Sequence, residues 1–233
     1  MCYRASTPPK KELAKILDKE IKIGDYQAHY HTAGFAHEAL PVMLSSDTSR
    51  VQPVIWGYVP EHAGAGFAED FLKKPYSLNA KAETIFSVAL YKHAAASQRC
   101  LIFVDGFFEW KHVQKAGKVD KVPHYIQMPD HKPFALGGLW SEYQGAKHCN
   151  ILTTAANKLM TSIHNTKKRM PFILPENEWE QWLDVKAPED AVKEMIQPFP
   201  EGFLEAHEIS RMITARNVDA DVPEVQEPLG KAS

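Results

Sequence analysis

The chain has 233 residues, 44% of them hydrophobic and 24% charged, with a net charge of −2. That describes an ordinary soluble globular protein with enough chain to bury a substantial core, and it excludes a wholesale polyanion binder, so any nucleic-acid site must be a local basic patch. The three cysteines (Cys2, Cys100, Cys149) form no CxxC pair or disulfide framework, no run reaches the ~18 apolar residues of a membrane span, and Pro8-Pro9-Lys10-Lys11-Glu12 stands where a signal peptide would be apolar, all of which predicts a cytoplasmic, intracellular protein.

In chain order, Thr7-Pro8-Pro9 is suited to start a helix, continued by Leu13, Ile16 and Leu17. Strand-like runs follow at Tyr26–His31, Leu40–Leu44 and Val51–Val59. Residues 60–77, with Gly64, Gly66 and Pro75, are expected as a long loop, and residues 80–96 as a helix with Ile85, Val88, Ala89 and Tyr91 on its apolar side. Arg99–Val104 has the composition of a buried strand leading into Asp105-Gly106-Phe107-Phe108-Glu109-Trp110, with residues 111–121 as a hairpin connection. Tyr125–Met128, Phe134–Trp140 and Asn150–Ala155 are further strands. Residues 161–169 are expected as a polar, basic loop before Met170-Pro171. Two amphipathic helices follow, around Glu176–Leu183 and Glu189–Ile196, punctuated by Pro188 and Pro198. A last strand is expected near Leu204–Ile209. These elements predict one strand-rich α+β domain over residues 2–219 and a loose tail over 220–233.

Chemistry concentrates at the N-terminus and at three segment edges. Removal of Met1 leaves Cys2 with an α-amine and a thiol on adjacent carbons, of reference pKa about 7.7–8.0 and about 8.5. Such an aminothiol condenses with an aldehyde to a Schiff base, which the thiol closes to a five-membered thiazolidine. On these residues alone, an accidental cysteine in a frayed terminus is the simpler reading. Asn79 is placed to cap the helix expected after it, with Glu83 in its first turn; alternatively, Asn79, Lys81 and the helix N-terminal amides form an anion site. Glu109, between Phe108 and Trp110, either turns outward by strand alternation, the default, or sits in an apolar setting that raises its pKa for acid–base work. His164 precedes Lys167, Lys168 and Arg169, a run that is usually a solvated loop but also offers an imidazole for proton transfer. No metal-ligand spacing or glycine-rich phosphate loop occurs, so neither metal nor cofactor is expected.

Together these segments resemble the SRAP family (SOS-response-associated peptidases), proteins that attach themselves to abasic sites in single-stranded DNA. The landmarks fall in the family's order: Met1-Cys2 with Arg4, Trp56-Gly57-Tyr58-Val59-Pro60, Asn79-Ala80-Lys81-Ala82-Glu83-Thr84, Arg99-Cys100-Leu101, Asp105–Trp110, Gly137-Gly138-Leu139-Trp140, Ile151-Leu152-Thr153-Thr154, and His164 with Arg169-Met170-Pro171. The resemblance implies a single domain with a curved antiparallel β core flanked by helices, acting as a monomer on abasic single-stranded DNA. It implies Cys2 as the crosslinking nucleophile after self-processing of Met1, Asn79 holding the N-terminus and the sugar, Glu109 moving protons, and His164 acting on the sugar ring oxygen. Arg4, Lys81, Lys167, Lys168 and Arg169 would meet the DNA backbone, and Trp56 or Trp110 would stack on bases. The chain departs from the family at Tyr3 in place of Gly, at Lys81 in place of Arg, and in the four residues, Asn165 to Lys168, between His164 and Arg169. Two alternatives stand beside this reading: a cysteine peptidase acting in trans through Cys2, His164 and Glu109, and a non-covalent reader of single-stranded DNA.

Overall fold

A computed structural model describes residues 2–230. Arg99–Val104 is buried at every position, which is why it is apolar throughout and not alternating. Its residues divide between two cores. Cys100, Ile102 and Val104 join Trp56, Leu136, Cys149 and Cys2 on one face. Leu101 and Phe103 join Leu152, Phe172, Trp182 and Val192 on the other, where the helices pack.

Around this strand runs a nine-stranded sheet in the order Arg169–Pro171, Ala146–Ala155, Phe134–Tyr143, Arg99–Val104, Ala39–Leu44, Asp47–Trp56, Lys22–Ile23, with Asn79–Lys81 and Ile173–Leu174 attached to its sides. Most pairings are antiparallel, but His148 and Cys149 pair in parallel with Ile55 and Trp56, which closes the path of five strands on itself. A second sheet runs Glu205–Glu208, Lys118–Gln127, Gly106–Lys115, Arg4–Ser6, Thr32–Ala33. In it Ala5 lies opposite both Thr32 and Phe107, so the N-terminus is threaded between two strands. The result is one strand-rich α+β domain, as expected.

Several local expectations are corrected. Residues 60–77 are not a loop: Ala65–Leu72 is helical with Ala68 and Phe71 buried, and Pro75 opens the short helix Pro75–Leu78 at a position where its missing N–H costs nothing. The helix expected over 80–96 is absent. Asn79–Lys81 instead pairs in parallel with Ile151, Leu152 and Thr153, a case of tertiary pairing overriding helix propensity, and only Lys92–Ser97 is α-helical. Val88 is consequently 39% exposed. Residues 26–31 form no strand, because Thr32–Ala33 takes the edge beside Arg4–Ser6. The hairpin is longer than expected: its strands continue to a two-residue turn at Ala116 and Gly117, both at positive φ. Within 161–169 the first residues complete the helix Lys158–Ile163, whose N-cap Asn157 accepts from the Met160 N–H. Residues 220–230 close onto the domain: Val225 is buried, Asp221 pairs with His29 at 2.7 Å, and the Leu229 N–H donates to the Glu208 carbonyl at 2.7 Å. Their few apolar residues suggested a tail, but one buried valine and a set of polar anchors suffice to hold the segment. Residues 231–233 lie outside the described residues, as does Met1.

Candidate functional site

Cys2 is fully buried. Its carbonyl accepts a hydrogen bond from Asn79 Nδ2 at 2.8 Å, and its Sγ lies 3.5 Å from the Arg4 carbonyl. Burial, reinforced by the Glu109 carboxylate, pushes the Cys2 thiol up to about 12. Asn79 is 4% exposed, and its Oδ1 is buried with no hydrogen-bond partner among the described residues. Asn79 therefore reaches Cys2 from a strand, not as a helix cap, and the anion site expected at a helix N-terminus does not form.

Glu109 is 4% exposed, so the outward default fails. The neighbouring residues explain this. Phe107 packs into the large core and Phe108 into a smaller one with Tyr125, Ile209 and Val225, so both faces of the strand are covered at this point. Glu109 and His164 line one cleft of about 420 Å³ together with Tyr3, Trp110 and Lys167. The Tyr3 phenol is raised by burial, by Glu109 and by Cys2, which sets its hydroxyl within the field of both groups. Tyr3 also stacks on Phe35, with centroids 5.9 Å apart.

His164 ends the Lys158–Ile163 helix and is 7% exposed. Its Nδ1 lies 2.8 Å from the Arg169 carbonyl, an acceptor only, so Nδ1 carries a proton. Cys2, Asn79, Glu109 and His164 are thus linked in turn: Asn79 holds Cys2, the Cys2 thiol lies in the field of the buried Glu109 carboxylate, and Glu109 shares the cleft with the His164 imidazole.

The residues expected to meet DNA divide. Lys81, Lys167 and Lys168 are exposed. Trp110 is half-buried, lines the cleft, and has the Arg4 guanidinium 5.7 Å from its ring centroid. Arg4 itself is held by His31 Nε2 at 2.8 Å and the Ile213 carbonyl at 3.0 Å. Burial, followed by Arg4, pulls the His31 imidazole down to about 4 and keeps it a neutral acceptor. Trp56 is corrected: it is fully buried, with Nε1 donating to the Leu78 carbonyl at 3.1 Å, so it offers no face to a base. Arg169 is corrected too. Its guanidinium grips Glu83 in a bidentate pair at 2.6 and 2.8 Å and donates to the Thr153 carbonyl, which leaves the fork engaged within the protein.

Sequence reasoning missed His112, Lys121 and Thr214, which also line the cleft. The first two were recoverable. A two-residue turn at Ala116-Gly117 sets Lys115 opposite Lys118, and the same register sets His112 opposite Lys121. Thr214 arrives from a distant 3₁₀ turn, Arg211–Thr214, for which no local signal exists.

Among the described residues no group of three or more His, Cys, Asp or Glu could hold a metal ion, and no helix is long and apolar enough to cross a membrane. The family model for the SOS response associated peptidase (SRAP) matches residues 1–216. The abasic site processing protein YoaM of Bacillus subtilis is 29% identical over 205 residues, covering 85% of each chain. The abasic site processing protein YedK of Escherichia coli is 28% identical over 192 residues, covering 78% of this chain and 79% of its own. A crystal structure of a protein from Bacteroides thetaiotaomicron superposes with a TM-score of 0.82 at 25% identity, covering 97% of this chain and 99% of that one. One from Bordetella bronchiseptica shares the fold with a TM-score of 0.75 at 22% identity, covering 90% of this chain and all of that one. With its landmarks in order and nearly its whole length matched, this chain belongs to the SOS response associated peptidase family.

Proposed function

We propose that the protein captures abasic sites in single-stranded DNA through Cys2, after releasing its own Met1. The observation that carries this reading is the grip of Asn79 on the Cys2 carbonyl, beside a carboxylate and a histidine that share one cleft. Loss of Met1 turns the Cys2 amide nitrogen into a free amine with an ordinary pKa of about 7.7–8.0. The ring-opened deoxyribose supplies an aldehyde. The amine adds to it, the carbinolamine loses water to give an imine, and the thiol adds to the imine carbon while its proton passes to the nitrogen. The balance is aldehyde plus aminothiol giving thiazolidine plus one water.

Each residue has a task in this sequence. His164 Nε2, the ring nitrogen other than the one bonded to the Arg169 carbonyl, meets the sugar hydroxyl whose proton must move for the ring to open. Glu109, on the same cleft wall, moves protons through addition and dehydration, and also serves the release of Met1. The orphan Oδ1 of Asn79 is an acceptor for the new amine or a sugar hydroxyl. Trp110 and the cations Lys81, Lys167 and Lys168 serve the flanking strand. The three free, buried cysteines fit a reducing intracellular setting, and the protein acts as a monomer.

The test is a denaturing gel of the purified chain with an abasic oligonucleotide, alongside intact mass. A shifted, gel-stable band is expected, abolished by Cys2→Ala and reduced to a labile imine at most by Cys2→Ser. If protein shown by mass to lack Met1 gives no band, the reading is wrong.

A further inference from the structure

The lengthened four-residue loop after His164, Asn165 to Lys168, meets the hairpin through the Asn165 side chain. Asn165 Oδ1 accepts from the His112 N–H at 3.1 Å, and Asn165 Nδ2 donates to the His112 carbonyl at 2.8 Å. Those are the two main-chain groups that a neighbouring strand would engage. The Arg4–Ser6 strand pairs with this edge at Gly106 and Phe107; farther along, at His112, a side-chain amide takes the strand's place. Asn is suited to this because its amide offers an acceptor and donors together. At its far end the loop is closed by Lys168, at φ 51, whose N–H donates to the His164 carbonyl at 2.9 Å.

Fixed at both ends, the loop becomes a wall of the cleft, and it brings Lys167 into the lining. His112 and Lys121, directly paired across the hairpin, line the same cleft. The cleft holds the Glu109 carboxylate deeper in, and the chain as a whole carries a charge of −2, so attraction for a polyanion has to be local. Two ammonium groups, Lys121 and Lys167, line the cleft.

We infer that Asn165 is a positioning residue that clasps His112 and thereby holds Lys167 with Lys121 as a two-cation clamp on the DNA phosphodiester beside the cleft. The clamp rests on the reading of this cleft as a DNA site. It assigns a purpose to a loop that departs from the family pattern, and it separates phosphate binding from Arg169, which is engaged with Glu83.

The experiment uses the full chain and an intact, fluorescently labelled single-stranded oligonucleotide with no abasic site. Affinity is measured by anisotropy over a series of salt concentrations. Each single-strand phosphate contact contributes about 0.7 to the slope of log affinity against log salt. Lys167→Ala and Lys121→Ala are each expected to lower the slope by about 0.7. Asn165→Ala removes no charge, yet it is expected to lower the slope by the same amount, and adding Lys167→Ala to it changes little more. Hydrogen exchange should show the His112 amide protected in the wild type and in Lys167→Ala but not in Asn165→Ala. An unchanged slope in the lysine variants overturns the clamp. A full slope in Asn165→Ala, or additive losses in the double variant, overturns the positioning role. Because the oligonucleotide carries no aldehyde, covalent capture plays no part in the readout. Failure of capture on abasic DNA would sink the proposed function and leave these slopes to judge the clamp alone.

Discussion

The buried state of Cys2 can be tested by its chemistry. Its thiol is pushed up to about 12, chiefly by burial and secondarily by Glu109. At pH 8 a thiol of that pKa is ionised in about one molecule in 10⁴, against about one in four for an ordinary cysteine of pKa about 8.5. Alkylation proceeds through the thiolate, so iodoacetamide should label Cys2 about 2,000-fold more slowly than a free cysteine, before access is counted. Cys100 and Cys149 are buried with raised thiols as well, so the folded chain retaining Met1 should stay unlabelled while all three cysteines react in denaturant. Intact mass and peptide mapping read the result site by site. The same shift has a pH signature. The folded state holds the Cys2 proton more tightly than the unfolded chain, so its contribution to stability is complete below about 8.5 and is lost progressively as pH rises above it. Glu109→Gln removes the smaller cause only, so labelling should quicken and still lag the unfolded chain. Uptake of label at Cys2 in folded, Met1-bearing protein at the unfolded rate would refute the reasoning.

Two further outcomes follow from the polar framework. Arg99 is 1% exposed, donates to the carbonyls of Trp182, Ala95, Ala96 and Asp184, and lies with its guanidinium 5.6 Å from the Trp182 ring centroid. Arg99→Met orphans several buried carbonyls and should cost about 3–5 kcal/mol, a drop in Tm of about 10 °C or more by circular dichroism; a loss below about 1 kcal/mol would mean those carbonyls find other donors. Glu83 feels burial raising its carboxyl pKa and the Arg169 hydrogen bonds outweighing it, for a net lowering. Its pairing therefore stabilises the fold above the ordinary carboxylate pKa of about 4.3 and is lost as pH falls below it. Glu83→Gln should cost about 1 kcal/mol at neutral pH, since the pair is partly exposed and screened, with the difference from wild type vanishing in acid; a gap that persists there would assign the effect to shape and not charge.

The fold class was legible because its signals are local. A continuous apolar run announced Arg99–Val104, whereas Cys2 drew attention only through the landmarks that follow it. Asn79, Glu109 and His164 were singled out by their places at segment edges; packing sets Asn79 and Glu109 beside Cys2, and Glu109 and His164 on one cleft. What could not be read was anything decided by a distant partner. Ala-rich residues 80–96 carry helical propensity, and a parallel pairing with Ile151–Thr153 overrides it. Trp56 looked available for stacking, but strand closure at Cys149 buries it. Alternation pointed Glu109 outward because it assumes one wet face, whereas this strand has a core on each side.

The correction at Arg169 alters how the site is understood. A guanidinium next to lysines suggests phosphate, yet its fork meets Glu83 and Thr153, and its own carbonyl receives the His164 Nδ1–H. One residue thus joins an ion pair to the orientation of the imidazole: Glu83 holds the Arg169 guanidinium, and the Arg169 carbonyl accepts from His164 Nδ1. The insertion between His164 and Arg169 lets both ends of this arrangement form while Lys167 is carried outward to the cleft wall. On the proposed function, proton transfer and phosphate attraction would then fall to different residues. Weakening the Glu83–Arg169 pair should slow capture of abasic DNA without changing the salt dependence of binding to intact DNA, whereas loss of Lys167 should do the reverse, and equal effects of both changes on both measurements would undo the division.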